Sequence, residues 1–496
     1  MNKPSANRNA SDVAVISLGS RFLTFLGHTM FVGRFGTANP FLNAFQFALS
    51  LPNVLFTVLG AALGVVMIPV YNSLLAEEKQ AEAKEFIDNV ISISFVLLAL
   101  MVAVGIAAAP QIAAVAQADS TAYLTFALRI LMPVMIFFGF GAIFQGILQS
   151  HGIFRLPAFV SAPGGIILIV YMIFFAERFG VTGLIFATAF GIFTQPLIMI
   201  RAVARLGYRY KFSFDLKNKH IRTAGKLCVP VVISAASYQA HFFFGQAIAF
   251  RLGANAILAY AQQLVLVFIL TIVYAGAAVY FPKLSTLLAK NDLPGYNESL
   301  RNAMLYTAFL VIPAACGFFL LRFDVMDFLL NRRGGENLVD IGLAGNLMGL
   351  YAVAVIAISF KEIADRAFYS AKDSKTPAIF GVLIMAVNIT VVLILVPRIG
   401  VYAMPIAYGA AALAGGGGLL IILQKRMKFA NFAFACELAK TALAAAIMAA
   451  AVLFVRGIFG GLLSLVLCGI VGVVVYFAAA FVLRISALKL LRNSEV

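Results

Sequence analysis

The chain has 496 residues, 62% of them hydrophobic and only 11% charged, with a formal net charge of +17. A soluble globule of that length is excluded by so little charge and so much apolar mass, and the missing period-2 alternation excludes a transmembrane β-barrel. The basic excess reads as a topology signal and a rim for anionic lipid, not as a nucleic-acid surface.

A spanning helix needs about 20 mostly apolar residues, because its backbone must satisfy its own hydrogen bonds in hydrocarbon. Roughly fourteen stretches qualify: 13–34, 41–71, 88–109, 123–150, 157–176, 181–204, 224–252, 256–282, 299–322, 341–370, 376–396, 400–424, 436–456 and 460–483. They predict an all-α integral membrane protein. Stretches longer than a bilayer imply tilt, continuation into water, or kinks, for which Pro69, Pro133, Pro163, Pro230 and Pro313 are the obvious sites. The polar first dozen residues precede a helix that stays in the membrane, not a cleaved secretory signal.

In chain order, the first span carries Arg21, His28 and Arg34, with no carboxylate in it or in the second span. Residues 77–88 mix Glu77, Glu78, Glu82, Glu85 and Asp88 with Lys79 and Lys84, a pattern expected of a solvated loop helix. The basic stretch 205–223 (Arg205, Arg209, Lys211, Lys217, Lys219, Arg222) is expected on the cytosolic surface as a linker and interfacial helix. The seventh span carries His241 and Arg251, and the tenth carries Lys361, Glu362, Asp365 and Arg366. Gly415 to Gly418 sit within the twelfth span and read as a close helix contact, since no phosphate-loop Gly-Lys-Ser/Thr follows. Cys228, Cys316, Cys436 and Cys468 lie singly in spans and read as small core residues.

The chain repeats itself at an offset of about 217 to 220 residues. Arg34-Phe35-Gly36 returns as Arg251-Leu252-Gly253, Asn43-Ala44-Phe45-Gln46 as Tyr260-Ala261-Gln262-Gln263, and Gly60-Ala61-Ala62 as Gly276-Ala277-Ala278. Pro69 with Leu74-Leu75-Ala76 matches Pro282 with Leu287-Leu288-Ala289. Ser150 with Pro157-Ala158 matches Ser370 with Pro377-Ala378, and Arg178-Phe179-Gly180-Val181 matches Arg398-Ile399-Gly400-Val401. The repeat divides the chain into a six-span lobe (1–204), the linker (205–223), a second six-span lobe (224–430) and two extra spans with a tail (431–496). Two like-oriented halves make a cleft where a transporter holds its cargo. Lys and Arg crowd one side of the membrane, which the positive-inside rule assigns to the cytoplasm together with both termini.

No enzyme constellation stands out, and neither a cofactor nor a metal site is expected. Charged groups inside spans are therefore the candidates, since burying one costs about 2.5–3.5 kcal/mol on insertion scales. Arg21 is the sharpest: it lies well inside its span without a carboxylate to neutralise it, so an anionic cargo suits it better than hydrocarbon. His28, seven residues on, falls near the same face. Arg34 and Arg251 hold equivalent repeat positions at span ends, where snorkelling or capping is the alternative. Lys361 with Asp365 at i, i+4 reads equally as an intrahelical ion pair. A cationic, carboxylate-poor cavity fits a phosphate or diphosphate head group, and moving one negative charge outward gains about 2.3 kcal/mol per 100 mV.

These residues resemble the MurJ/MviN family of lipid II flippases, in the multidrug/oligosaccharidyl-lipid/polysaccharide exporter superfamily. The resemblance is carried by Ser20-Arg21 with Arg34-Phe35-Gly36, Leu51-Pro52-Asn53, and Gly146-Ile147-Leu148-Gln149-Ser150 with Phe154 and Pro157-Ala158. Its clearest stretch is Arg366-Ala367-Phe368-Tyr369-Ser370-Ala371-Lys372-Asp373-Ser374-Lys375-Thr376-Pro377. It implies two six-helix lobes around a cavity, a groove for the undecaprenyl tail formed by the last two spans, and the peptidoglycan precursor lipid II as cargo. Departures fall on charges: Gly27-His28 stands for the family's Arg-Asp pair, Phe56 for an Arg, Gln262-Gln263 for an Asp-Arg pair and Asn43 for an acidic residue. The seventh span lacks a carboxylate for a sodium site, although Asn388 matches one ligand.

The sequence thus reads as an inner-membrane flippase for a lipid-linked anionic glycan, lipid II first, working by alternating access. Arg21, His28 and Arg34 are expected at the diphosphate or its approach. Asn53, Gln262 and Gln263 would meet sugar or peptide, with Arg251 and Lys361 as secondary contacts. The partners expected are the lipid-linked glycan, membrane lipids and cell-wall synthesis proteins. Another lipid-linked oligosaccharide, a cation-coupled drug exporter and a non-transporting cell-wall scaffold are the alternatives.

Overall fold

The computed structural model describes residues 6–116, 121–330, 339–371 and 373–488. The regular structure among these residues is all helical, with no strand: α1 (Ala6–Phe35), α2 (Pro40–Ala76), α3 (Gln80–Val115), α4 (Thr121–Leu131), α5 (Val134–Ser150), α6 (Arg155–Phe159), α7 (Ala162–Phe174), α8 (Ala176–Arg205) and α9 (Lys219–Arg251). There follow α10 (Asn255–Ala289), α11 (Leu293–Leu320), α12 (Arg322–Leu330), α13 (Ile341–Ser370), α14 (Lys375–Ile399), α15 (Ala403–Met427), α16 (Phe432–Ile458) and α17 (Gly461–Val482). Short polar side chains start many of them. Asn39 accepts the Phe41 N–H before Pro40 opens α2, and Asn218, Asp340 and Asn431 cap α9, α13 and α16 in the same way.

Eleven helical segments among the described residues are long and apolar enough to cross a membrane. The difference from the fourteen expected lies in three places. α1 and α9 are not among the eleven, and residues 375–427 form one continuous 53-residue run. That run turns at Gly400, whose φ is +57°. Of the expected kinks, Pro133 separates α4 from α5 and Pro163 sits in the first turn of α7. Pro69, Pro230 and Pro313 lie inside continuous helices.

The repeat is visible in the backbone. Left-handed residues occur at matching places: Gly36 (φ +76°) with Gly253 (+66°), Glu78 (+58°) with Asn291 (+55°), Gly180 (+55°) with Gly400 (+57°), and Gly207 (+80°) with Lys428 (+53°). Each pair ends a helix or breaks one, and their separations track the sequence offset. A C-terminal left-handed residue satisfies the last carbonyls of a helix, as where the Gly36 N–H donates to Val32 O at 3.0 Å.

The chain packs as two compact units, Met1–Ala256 and Ile257–Val496. In the first, α1 lies on α6 and α7, α2 on α5 and α9, and α5 on α8. Met67, Tyr71, Phe86, Ile87 and Ile147 form its main described core. In the second, α13 is held between α11 and α15, α14 lies on α15, and α16 pairs with α17 and α11. There the Tyr476 hydroxyl donates to Phe309 O at 2.6 Å. Apolar side chains such as Leu100, Val104, Leu393, Val473 and Val474 stay exposed, as lipid-facing residues must.

Close packing uses small residues. A Cβ on Gly415 would lie 2.1 Å from an Ile384 side-chain carbon, and one on Gly416 2.9 Å from the Lys361 Cβ, so the glycine run does serve a helix contact. At Gly165, on α7, an added Cβ would come within 2.7 Å of the α1 backbone at Leu23 and Thr24. Backbone cannot swing aside as a side chain can, so Gly165→Ala is expected to force α1 from α7 at a cost of about 1–3 kcal/mol. Thermal unfolding in detergent checks this against Gly417→Ala, where the new methyl meets nothing within 4 Å. Equal midpoints for the two variants would mean that the α1–α7 contact contributes nothing.

Candidate functional site

The polar groups expected to meet cargo fall into two sets. Arg34, Arg251 and Lys361 are committed to protein partners. Arg34 Nη2 bonds Glu177 Oε1 at 2.7 Å, tying the end of α1 to the first turn of α8. Arg251 Nη2 donates to Val115 O at 2.6 Å, capping the C-terminus of α3, where a cation meets the negative end of the helix dipole. Lys361 Nζ lies 2.7 Å from Asp365 Oδ2 and 3.3 Å from Glu362 Oε1 within α13. Each of the three shows the structural role that its position also allowed.

Arg21, His28, Asn53, Gln262 and Gln263 are uncommitted. Among the described residues the side chains of these five make no hydrogen bond or ion pair. Arg21 is exposed on α1, and His28 is half-buried two turns further on, with its ring 4.9 Å from that of Phe31. The opposite side of α1, at Leu23, Thr24 and Gly27, is the one pressed against α7. Asn53 is exposed on α2, where its backbone oxygen accepts from the Thr57 hydroxyl at 2.7 Å and its amide stays unused. Gln262 is buried and Gln263 half-buried on α10. A cation, an imidazole and three amides left unpaired at membrane depth are costly unless something polar meets them.

Two further contacts escape sequence reasoning. The buried Asn43 amide donates to Thr37 O at 3.0 Å and Asn39 O at 3.1 Å, and its oxygen accepts the Ala256 N–H at 2.9 Å. This is why an amide stands here and not an acid: a carboxylate could accept from Ala256 but would face two carbonyl oxygens with no proton to give. Asn43→Ala is expected to cost on the order of 1–3 kcal/mol by orphaning those partners, with Asn43→Asp in between. Unfolding midpoints in detergent test the order, and an Ala variant as stable as the parent would remove Asn43 from this role.

The second is a staple between α3 and the linker. The Tyr208 hydroxyl donates to Asp88 Oδ1, Lys84 Nζ bonds Asp88 Oδ2 at 2.8 Å, and the Lys211 N–H donates to Asp88 Oδ1 at 3.1 Å. The Ser213 N–H donates to Ser92 Oγ at 3.2 Å and the Asp215 N–H to Asn89 Oδ1 at 2.6 Å. The Asn218 amide reaches Glu85 Oε1 at 3.0 Å, and His220 Nε2 lies 3.1 Å from Glu82 Oε2. The segment expected as a solvated helix face is therefore partly a dock, with Asp88 buried. The interfacial helix expected in the linker is replaced by a strap, since residues 208–215 have no regular secondary structure. The signal was present in the spacing of Glu82, Glu85, Asp88, Asn89 and Ser92, which share one helix face.

The described part of the stretch that carries the clearest motif runs from the end of α13 into the start of α14, where Asp373 caps the new helix. Its carboxyl is held down to about 2 by the Thr376 backbone N–H, then by the Thr376 hydroxyl and the Arg426 guanidinium, against a smaller opposing push from burial. Arg426 Nη1 lies 2.7 Å from Asp373 Oδ2, so the motif joins α14 to the end of α15.

Comparison with known proteins bears on the family and the fold. A family model described as lipid II flippase MurJ matches residues 33–473. A protein of Rhizobium meliloti (strain 1021) named probable lipid II flippase MurJ is 24% identical, covering 96% of this chain and 94% of its own. The lipid II flippase MurJ of Burkholderia cenocepacia is 23% identical over 84% of this chain and 83% of its own. Among solved structures, a lipid II flippase MurJ in an inward closed conformation superposes with a TM-score of 0.80 at 19% identity, covering 95% of this chain and 98% of that one. An inward-facing multidrug resistance MATE transporter gives a TM-score of 0.69 at 17% identity over 84% and 98% of the two chains.

Proposed function

The chain belongs to the lipid II flippase MurJ family, and we propose on that footing that it carries lipid II from the inner to the outer leaflet by alternating access. It is a multi-pass membrane protein with the fold of its superfamily. The observation that carries the reading toward cargo is Arg21: a permanent cation, exposed within a membrane helix and unpartnered among the described residues. Guanidinium matches the oxygens of a diphosphate by charge and by its fork of N–H donors. His28 extends that polar face, while Asn53, Gln262 and Gln263 offer amides to sugar or peptide.

In this reading Arg34, Arg251 and Lys361 are parts of the frame. Arg251 and Asn43 hold the end of α9 and the start of α10 against α3 and α2 within the first compact unit. Both termini face the cytoplasm, and the membrane potential then favours outward travel of the anionic head. The lobes are those of the repeat, residues 1–204 and 224–430, with 431–496 adding the helices that hold the lipid tail.

The experiment is complementation. The endogenous lipid II flippase of a bacterial host is depleted, this chain is expressed, and lipid II exposed at the outer surface is measured. Restored exposure is the expected result. Failure despite good membrane insertion would move the reading to another lipid-linked glycan or to a cell-wall scaffold.

A further inference from the structure

Residues 208–217 read Tyr-Arg-Tyr-Lys-Phe-Ser-Phe-Asp-Leu-Lys, a strict alternation of apolar and polar side chains. The period is that of an extended chain, in which successive side chains point to opposite faces. The backbone matches the pattern: the N–H groups of Lys211, Ser213 and Asp215, two residues apart, all donate to α3. With one edge so fixed, the apolar face beyond Tyr208, whose hydroxyl is on Asp88, is left open. Tyr210 is 49% exposed, Phe212 66%, Phe214 46% and Leu216 57%.

The height of this strap on α3 follows from arithmetic. Residues 89–115 of α3 carry no charge and, at 1.5 Å per residue, extend about 40 Å, enough to cross the hydrocarbon of a bilayer with tilt. The membrane boundary therefore falls between Asp88, the last charge before the run, and the exposed Phe95, Val96 and Leu97, a stretch centred on Ser92. Ser92 is where the strap touches α3 at its deepest, through the Tyr210 hydroxyl at 2.8 Å and the Ser213 N–H at 3.2 Å. Tyr210, Phe212 and Phe214 are thereby held at the level of the interface, where a chain without Trp must build its aromatic belt from Tyr and Phe.

Charge selects the occupant. Between residues 201 and 222 stand Arg201, Arg205, Arg209, Lys211, Lys217, Lys219 and Arg222 against Asp215 alone. The acidic groups of α3 nearest the strap are engaged with Asn218, His220 and the Asp88 contacts. We propose that residues 208–215 are an extended, amphipathic membrane-docking strap, with Tyr210, Phe212 and Phe214 in the interface and the basic residues in and beside it on the phosphates of anionic phospholipids. A strand-like anchor of this kind lets α3 carry the junction between the two repeats at a fixed depth.

The absence of Trp provides a background-free probe. Phe212→Trp and, at the exposed turn that ends the strap, Lys217→Trp are introduced singly into the full chain in nanodiscs, with Phe95→Trp on α3 as a lipid-facing reference. Phe212→Trp is expected to be quenched by lipids brominated near the head of the acyl chain and shielded from iodide, and Lys217→Trp the reverse. Brominated phosphatidylglycerol should quench at least twofold more than brominated phosphatidylcholine at equal mole fraction. Adding Arg209→Gln, Lys211→Gln and Lys217→Gln to the Phe212→Trp chain should return that ratio to one. Iodide quenching without lipid quenching at position 212 would overturn the proposal. So would protection from both, which would mark a protein partner or a second copy. Equal quenching by the two lipids would overturn the anionic preference.

Discussion

Replacing Arg21 with alanine is expected to leave the protein inserted and folded but to remove its ability to sustain a cell depleted of its own lipid II flippase. The guanidinium supports no other part of the structure: it is exposed and has no partner among the described residues. Its removal orphans nothing, and it relieves the roughly 2.5–3.5 kcal/mol that a cation costs at membrane depth on insertion scales. Protein levels should therefore hold or rise while transport falls by tenfold or more, the loss of a charge-assisted pair being worth at least about 1.4 kcal/mol. Arg21→Lys keeps the charge but not the fork and should fall between the two. Full rescue by a combined Arg21→Ala and His28→Ala variant would sink the cargo role and favour a scaffold. Outer-surface lipid II and membrane abundance, measured together, separate the outcomes.

Asp88→Ala should free the strap. The carboxylate accepts from the Tyr208 hydroxyl, the Lys211 N–H and the Lys84 ammonium, and it is buried. Leaving a hydroxyl and an amide unpaired costs on the order of 1–3 kcal/mol each. A surface strap avoids that penalty by lifting into water, so the damage is local opening rather than global unfolding. Trypsin cleavage at Arg209, Lys211 or Lys217 should accelerate at least about tenfold, since cleavage tracks the open population when reclosing is fast. Asp88→Asn retains one acceptor for Tyr208 and Lys211 and loses only the ion pair with Lys84, so it should cleave nearer the parental rate. Unchanged proteolysis in the alanine variant would show that Ser92, Asn89 and Glu85 hold the strap without it.

Asn43 and Asp88 show what a linear reading misses. Both were visible as polar residues, Asn43 as a departure from a family acid and Asp88 as one charge in a mixed run. Their partners lie 213 and more than 100 residues away in sequence, at Ala256 and in the linker. Two of those contacts are made to backbone N–H groups, which carry no residue signature. Arg34 illustrates the same limit from the other side, because its partner Glu177 belongs to an unremarkable turn.

The sequence by itself determined the helical class, the membrane setting, the two-fold repeat and the family. These rest on properties that act locally and add along the chain: apolar length, glycine where a helix must end left-handed, and motif order. The matched backbone of Gly36 with Gly253 and Gly180 with Gly400 is the physical form of that repeat. Only the tertiary structure decided which intramembrane charges are spent on the protein itself. Arg34, Arg251 and Lys361 are paired, whereas Arg21 and His28 are left with polar atoms and no protein partner among the described residues. A charge has the same letter in either state, and its availability depends on what folding brings within about 3 Å of it.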